Sequence, residues 1–195
     1  MSQPLRALFK IVLAGDVRKI NAESNDAPTG GGARDIRFSH RLFEPVVVKM
    51  FPKVVGAHGT KRAQLAIRVG TLRYYDDKGQ SHTKDIEYWP PTDARRGEGR
   101  VARVPEIPPL AAKHYPQSQG AVFYLLIQGS DGTITAHFAS EQSLRMRGVW
   151  NPWVAESILT SLAEAPGNVS ARGWVDWPTG KSYIERRRST KRGRR

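Results

Sequence analysis

Residues 63–89, AQLAIRVGTLRYYDDKGQSHTKDIEYW, give the clearest indication of the fold. Two runs rich in β-branched, aromatic and aliphatic residues flank the polar segment Asp76-Asp77-Lys78-Gly79, and such runs around a glycine-containing turn are typical of a β-hairpin. A second hairpin is predicted over residues 121–138, where a run apolar on both faces precedes the turn Gly129-Ser130-Asp131-Gly132. We therefore expect a chain dominated by β-strands.

Two short helices are predicted beside these strands. The run that begins at Asn151-Pro152 has a capping residue, a proline suited to the first helical position and apolar residues every four positions, and it stops at Pro166-Gly167. Segment 44–52, EPVVVKMFP, predicts a second helix, although three successive valines favour a strand by propensity. Its inward side chains would be Val46, Val47, Met50 and Phe51. A mainly β chain with long connections indicates a barrel or a sandwich.

Composition and charge narrow the classes of function. The chain has 195 residues, with 31 Lys and Arg against 18 Asp and Glu, and a net charge of +13. This excess favours a polyanionic partner such as nucleic acid. The chain has no cysteine, which excludes disulfides, iron–sulfur clusters, thiolate zinc sites and cysteine nucleophiles.

The basic excess is concentrated at the C-terminus. Residues 181–195 carry +7 of the +13, from eight basic residues against one acidic. We predict one domain over residues 1–180 and a disordered basic tail over residues 181–195. Two roles stay open for this tail, a solubilising extension and an electrostatic arm on nucleic acid.

The sequence predicts a cytoplasmic protein without a membrane partner. The short apolar run Leu8–Ala14 contains Lys10 and lacks the features of a secretory signal. No apolar stretch approaches the length of about 20 residues that spans a bilayer.

The sequence has no recognisable catalytic motif, so we expect no enzyme activity, metal or cofactor. Gly173 and the Gly180-Lys181-Ser182 triplet are separated by six residues, whereas a Walker loop needs four. The five histidines occur singly, without metal-ligand spacing. One alternative stays open: a nuclease subunit whose carboxylates come together from distant segments, namely Asp26, Asp35, Asp85 and Glu87.

The most unusual segment is residues 18–38, RKINAESNDAPTGGGARDIRF. Glycines let a backbone approach phosphate closely, and short polar side chains suit phosphates and base edges. The segment is thus a candidate nucleic-acid arm, and it is equally well a flexible loop between strands.

Five segments in one order resemble a known family. They are residues 25–32 (NDAPTGGG), 46–52 (VVVKMFP), 73–75 (RYY), 85–89 (DIEYW) and 120–125 (GAVFYL). Their order over roughly residues 15–165 resembles the N-terminal effector-binding domain of EcoRII-type restriction endonucleases, which belongs to the DNA-binding pseudobarrel superfamily.

The resemblance implies an open seven-stranded pseudobarrel with two short helices and two long arms that grip the major groove of DNA. The first arm would span residues 19–37, and the second would follow the strand that ends at Trp89. The implied DNA-binding residues are Lys19, Asn21, Ser24, Asn25, Asp26, Thr29, Arg34, Arg37, Tyr88, Trp89, Thr92, Arg95, Arg96, Arg100 and Arg103. Because Tyr88 stands where the family has a base-reading arginine, the family's sequence preference does not transfer.

The expected function is therefore that of a non-catalytic recognition subunit that binds double-stranded DNA in a prokaryotic restriction or phage-defence system. The family's nuclease domain has no counterpart after residue 165, so a nuclease or other effector would act in trans. Two alternatives stay open: the nuclease subunit described above, and an RNA-binding subunit of a ribonucleoprotein effector complex.

Overall fold

Ten strands form one curled, half-barrel sheet in the part of the chain that the computed structural model describes. The described residues are 2–13, 16, 35–60, 63–93, 97–117, 119–164 and 171–185. The strands are β1 (Pro4–Ile11), β2 (Ile36–Ser39), β3 (Lys53–Thr60), β4 (Ala63–Tyr75), β5 (Ser81–Trp89), β6 (Glu98–Val101), β7 (Val122–Gly129), β8 (Ile134–Ser140), β9 (Arg172–Asp176) and β10 (Lys181–Glu185). The helices are α1 (His40–Met50), α2 (Glu141–Arg145) and α3 (Pro152–Glu164).

The strand order in the sheet is β10-β9-β1-β7-β8-β4-β5-β6-β2, and β3 pairs with β4 beside this path. All pairings are antiparallel except that of β4 with β8, which meet at Leu72 and Ile134. The prediction of a mainly β fold with short helices is confirmed. The predicted numbers of seven strands and two helices are wrong, because strands of four or five residues leave too short an alternation for sequence to reveal.

Both predicted hairpins are present. Strands β4 and β5 pair from Arg68 opposite Tyr88 to Tyr75 opposite Ser81. Asp76 closes their turn, because its Oδ1 accepts hydrogen bonds from the backbone N–H groups of Lys78 and Gln80 at 2.9 and 2.8 Å. Strands β7 and β8 pair along seven positions around the second predicted turn. The β-branched and aromatic runs, with the turn residues between them, therefore predicted these four strands correctly.

Helix α1 packs in the concave side of the sheet and joins its two ends. Its buried side chains include Val46, Val47 and Met50, as predicted. The Trp174 Nε1–H of β9 donates to the Leu42 carbonyl at 2.8 Å. The free energy gained by burying this face outweighs the strand propensity of the three valines. Pro45 lies inside the helix.

Helix α3 covers the opposite face of the sheet. Its residues Val154 and Ile158 are buried in one cluster with Phe9, Phe123 and Leu125. The predicted cap is present, since Asn151 Oδ1 accepts a hydrogen bond from the Trp153 N–H at 3.0 Å. The sheet is thus covered on both sides, which explains the apolar run of β7.

The predicted boundary at residue 180 is wrong. Lys181–Glu185 form strand β10, which pairs with β9. Gly180, with φ at 65°, ends the turn that reverses the chain, and Tyr183 packs its ring against Phe43 at 6.0 Å between centroids. The rest of the predicted tail, residues 186–195, lies outside the described residues.

No helix in the described ranges is both long enough and apolar enough to cross a bilayer.

Among the described glycines, Gly99 of β6 leaves the least room for a side chain, because Tyr88 packs directly against its backbone. A Cβ atom at this position would stand 1.7 Å from the Tyr88 hydroxyl oxygen. Replacing Gly99 with alanine is therefore expected to lower the free energy of unfolding by about 1–3 kcal/mol, measured by urea denaturation. Tyr88→Phe removes the clashing oxygen, so the double variant should recover part of this loss. Equal stability of Gly99→Ala and the parent protein would contradict the packing at this position.

Candidate nucleic-acid interface

Strands β2 and β6 form a short antiparallel ladder at one edge of the sheet. Its four pairs include Arg37 directly opposite Arg100. Arg37 belongs to the first predicted arm and Arg100 to the second. The described parts of both predicted arms therefore lie side by side, with two arginines on the same face.

Carboxylates beside the ladder hold the two arginines. Arg37 Nη1 lies 3.7 Å from Glu98 Oε2, and Arg100 Nε lies 3.4 Å from Asp35 Oδ2. The side chains of Arg37 and Arg100 are 27% and 20% exposed. Arginines directly opposite each other repel, and the two diagonal carboxylates offset this repulsion. Each guanidinium group thus has a carboxylate within ion-pair distance.

Trp89 orients Arg100 from the neighbouring strand. The two residues are paired between β5 and β6, and the Arg100 guanidinium lies 5.6 Å from the centre of the indole ring. The indole N–H donates to Glu87 Oε2 at 2.8 Å, and the ring of His58 approaches Trp89 edge-on at 5.5 Å. The single N–H of Trp89 is thus engaged by Glu87, and its ring packs beside the Arg100 guanidinium.

Two further cations from β1 and β9 lie beside β2. Lys10 and Arg172 are paired across these strands, and Arg172 Nη1 donates to the Arg37 carbonyl at 3.1 Å. Burial lowers the pKa of Lys10, and the charges of Arg172 and Arg37 lower it further, against the opposing effect of Asp16. Sequence reasoning missed both residues, because only the curling of the sheet brings β1 and β9 to β2.

Arg103 follows the ladder and is the most exposed described arginine of the second arm. Its side chain is 67% exposed, and its φ of 55° lies in the left-handed region. Its backbone N–H donates to Asp35 Oδ1 at 3.3 Å. Asp35 therefore contacts both Arg100 and Arg103 and joins the start of β2 to the end of β6.

Tyr88 is a core residue, so its predicted role in DNA binding is wrong. Its side chain is 1% exposed, and its hydroxyl lies 3.0 Å from Nδ1 of His40 in a hydrogen bond. Burial also raises the pKa of Tyr88. The physical reason is strand alternation: Trp89 points outward, so its neighbour points inward. Thr92 is half-buried after Pro90-Pro91.

The remaining predicted DNA-binding residues lie outside the described residues; they are Lys19, Asn21, Ser24, Asn25, Asp26, Thr29, Arg34, Arg95 and Arg96. Their segments join the described chain at Asp35 and between Asp93 and Gly97. Gly97 lies at the far end of the ladder from Asp35, since its carbonyl accepts from the N–H of His40. The two junctions are thus roughly 17 Å apart along β2, at about 3.4 Å per residue.

The described carboxylates of the nuclease alternative do not form one site, because each contacts a different residue or lies apart from the others. Asp35 contacts Arg100, Glu87 accepts from Trp89, Asp85 is exposed on β5, and Asp26 lies outside the described residues. Within the described ranges, no group of three or more histidines and carboxylates could hold a metal ion.

Comparisons with family models, curated proteins and solved structures give no match.

Proposed function

We propose that this chain is a non-catalytic recognition subunit that binds double-stranded DNA, in a prokaryotic restriction or phage-defence system of the cytoplasm. It would read a short site through two arms in the major groove. The observation that carries the proposal is the pair of arginines, Arg37 and Arg100, directly opposite each other on the ladder from which both predicted arms extend.

Two neighbouring guanidinium groups suit an anionic ligand that carries several negative charges in series. A guanidinium has five N–H donors in a planar fork, which match phosphate oxygens and the O6 and N7 atoms of guanine. Asp35 and Trp89 already fix the position of Arg100. A fixed donor loses less side-chain entropy when its ligand binds, so more of the contact energy contributes to affinity.

The spacing of the junctions supports two arms in one groove. Their separation of roughly 17 Å along the ladder is somewhat larger than the major groove of B-DNA, which is about 12 Å wide. Segments leaving from opposite ends of the ladder could thus approach the groove from its two edges. The basic residues of these segments, Arg34, Arg95 and Arg96, would add contacts to phosphates or bases.

The proposed function includes a nuclease or other effector that acts in trans. Whether this chain cleaves DNA itself is tested by incubating plasmid DNA with the purified protein and Mg²⁺ or Mn²⁺. We expect no cleavage, whereas metal-dependent cleavage would support the nuclease alternative.

Binding to duplex DNA is expected to weaken steeply with salt. The logarithm of the association constant should fall linearly with the logarithm of salt concentration, with a slope of about 0.9 per phosphate contacted and several units in total. Fluorescence anisotropy with a labelled duplex measures this slope.

Two outcomes would contradict the proposal. Absence of binding to any duplex at low salt would exclude DNA as the ligand. Stronger competition by RNA than by DNA of equal length would indicate the ribonucleoprotein alternative.

A further inference from the structure

Strands β4 and β8 leave a cavity between them after the one position at which they pair. They run parallel and meet at Leu72 and Ile134. The residues that follow in each strand, 74–77 and 136–138, line a cavity of about 500 Å³ together with the turns over residues 108–114. This cavity lies at the end of the β4–β5 hairpin opposite to the ladder. It is therefore separate from the candidate nucleic-acid interface.

Aromatic side chains form much of the cavity wall. Tyr75 is 66% exposed, and Phe138 and Trp150 also line the space. The Trp150 Nε1–H donates to Ser143 Oγ at 3.0 Å, which holds the indole in place. The ring of His137 lies 5.2 Å from that of Trp150 between centroids, with 83° between the two planes. Rings at such an angle enclose a rounded group better than a flat one.

The charge state of His137 limits the class of ligand. Burial lowers the pKa of its imidazole to about 4, so the ring is neutral at physiological pH. An anion bound beside it would favour the charged form of the ring, whereas a neutral ring does not repel a cation. The cavity therefore suits a neutral or a positively charged ligand.

The lining is acidic in a basic chain. Its charged groups are Asp76, Asp77 and Lys113, so with histidines counted as neutral it carries one net negative charge, whereas the whole chain carries +13. Both oxygens of Asp77 accept from the Lys113 ammonium, at 2.8 and 3.1 Å. The two side chains are 77% and 61% exposed, and an exposed pair of this kind contributes little to stability. An ammonium group of a ligand can thus replace that of Lys113 on Asp77.

We propose that the cavity binds an alkylated ammonium group, with Tyr75 and Trp150 beside its alkyl substituents and Asp77 near its charge. The substituents of such a cation are apolar and share its positive charge, so aromatic faces attract them. A cavity of this size accommodates a small molecule or a long side chain. The cation would belong either to a free amine or to an alkylated lysine of another protein.

Calorimetric titration of the full chain, in buffer without DNA, tests the proposal with three probes. Choline represents a free amine, and the amide of Nα-acetyl-trimethyllysine represents an alkylated lysine. The third probe is the neutral alcohol in which a carbon atom replaces the nitrogen of choline. We expect the ammonium probes to bind about tenfold or more tightly than the alcohol. Tighter binding of choline would indicate a free amine, and tighter binding of the lysine derivative would indicate an alkylated protein.

Two variants with matched controls locate the binding. Tyr75→Ala and Asp77→Asn should each weaken binding of the ammonium probes about threefold or more. Trp153→Ala and Asp85→Asn remove an exposed aromatic ring and an exposed carboxylate that do not line the cavity, so they should leave the affinity unchanged. Circular dichroism confirms that each variant is folded.

Three outcomes would overturn the proposal. They are no binding of either ammonium probe, an affinity for the neutral alcohol equal to that for the ammonium probes, and the same affinity in all the variants. Because DNA is absent from every titration, none of these results depends on the proposed DNA binding.

Discussion

Replacing Asp176 with asparagine is expected to lower the free energy of unfolding by about 3 kcal/mol, because it breaks a buried ion-pair network. The Asp176 carboxylate is 3% exposed. It lies 3.1 Å from Arg6 Nε, binds Lys49 of α1 and accepts from Thr179 Oγ1 at 2.9 Å. The network joins β1, α1 and β9, so its loss would leave the buried Arg6 guanidinium without a carboxylate to balance its charge. Urea denaturation at neutral pH measures the effect.

The matched control is Asp131→Asn. Asp131 also pairs with an arginine, Arg73 at 2.7 Å, but both side chains are about one-third exposed. An exposed pair of this kind contributes about 0.2–1 kcal/mol. Equal losses in the two variants would contradict the argument that burial makes the Asp176 network strong.

The Asp176 network also predicts a dependence of stability on pH. Burial alone would raise the pKa of Asp176, but the hydrogen bonds from Lys49 and Thr179 and the charge of Arg6 outweigh it and lower that pKa. A lowered pKa in the folded state means that the stabilisation is fully present above the usual carboxyl pKa of about 3.9 and is lost as pH falls through the folded value. The difference between the parent protein and Asp176→Asn should therefore shrink below about pH 4.

Replacing both Arg37 and Arg100 with alanine is expected to weaken binding to duplex DNA about 100-fold or more. Each well-placed arginine contributes about 1–3 kcal/mol, and the substitutions also leave Glu98 and Asp35 without their cationic partners, which adds repulsion toward phosphate. The salt slope should fall by about two units, one for each lost phosphate contact. Anisotropy titrations over a salt series measure both quantities.

A control variant separates local geometry from net charge. Arg73→Ala with Arg145→Ala removes the same two charges, and each of these arginines is also paired with a carboxylate, Asp131 and Glu141. Arg73 lies at the end of the β4–β5 hairpin opposite to Trp89. The control should weaken binding only a few-fold, by reducing the long-range attraction. If both double variants lose affinity equally, general charge or the tail carries the binding and the ladder does not.

The parts of the fold that sequence predicted well are those whose signal is local. The apolar and aromatic runs around turn residues in 63–89 and 121–138 indicated both hairpins, and the cap at Asn151 indicated the start of α3. The helix over 44–52 was also predicted, although it begins four residues earlier, at His40. Each of these features depends on neighbouring residues in the chain, which a sequence displays directly.

The candidate site was predicted in part. Arg37, Trp89, Arg100 and Arg103 were chosen from the sequence, and the structure brings them to one edge of the sheet. The prediction for Tyr88 is wrong, because strand alternation buries this side chain although the family motif implies contact with DNA. Lys10 and Arg172 were missed, since no local pattern distinguishes a cation beside a distant strand from any other cation.

The β-rich class, the two hairpins, the main helices and the basic character of the chain can therefore be predicted from the order of its residues. The placement of Arg37 opposite Arg100, the position of Lys10 and Arg172 beside them, and the pairing of residues 181–185 with β9 depend on the folded chain as a whole. Pairing between strands far apart in the chain depends on which edges and faces remain to be covered once the local elements have formed. The packing of the whole chain therefore determines which strands pair, and this pairing cannot be predicted from any short segment.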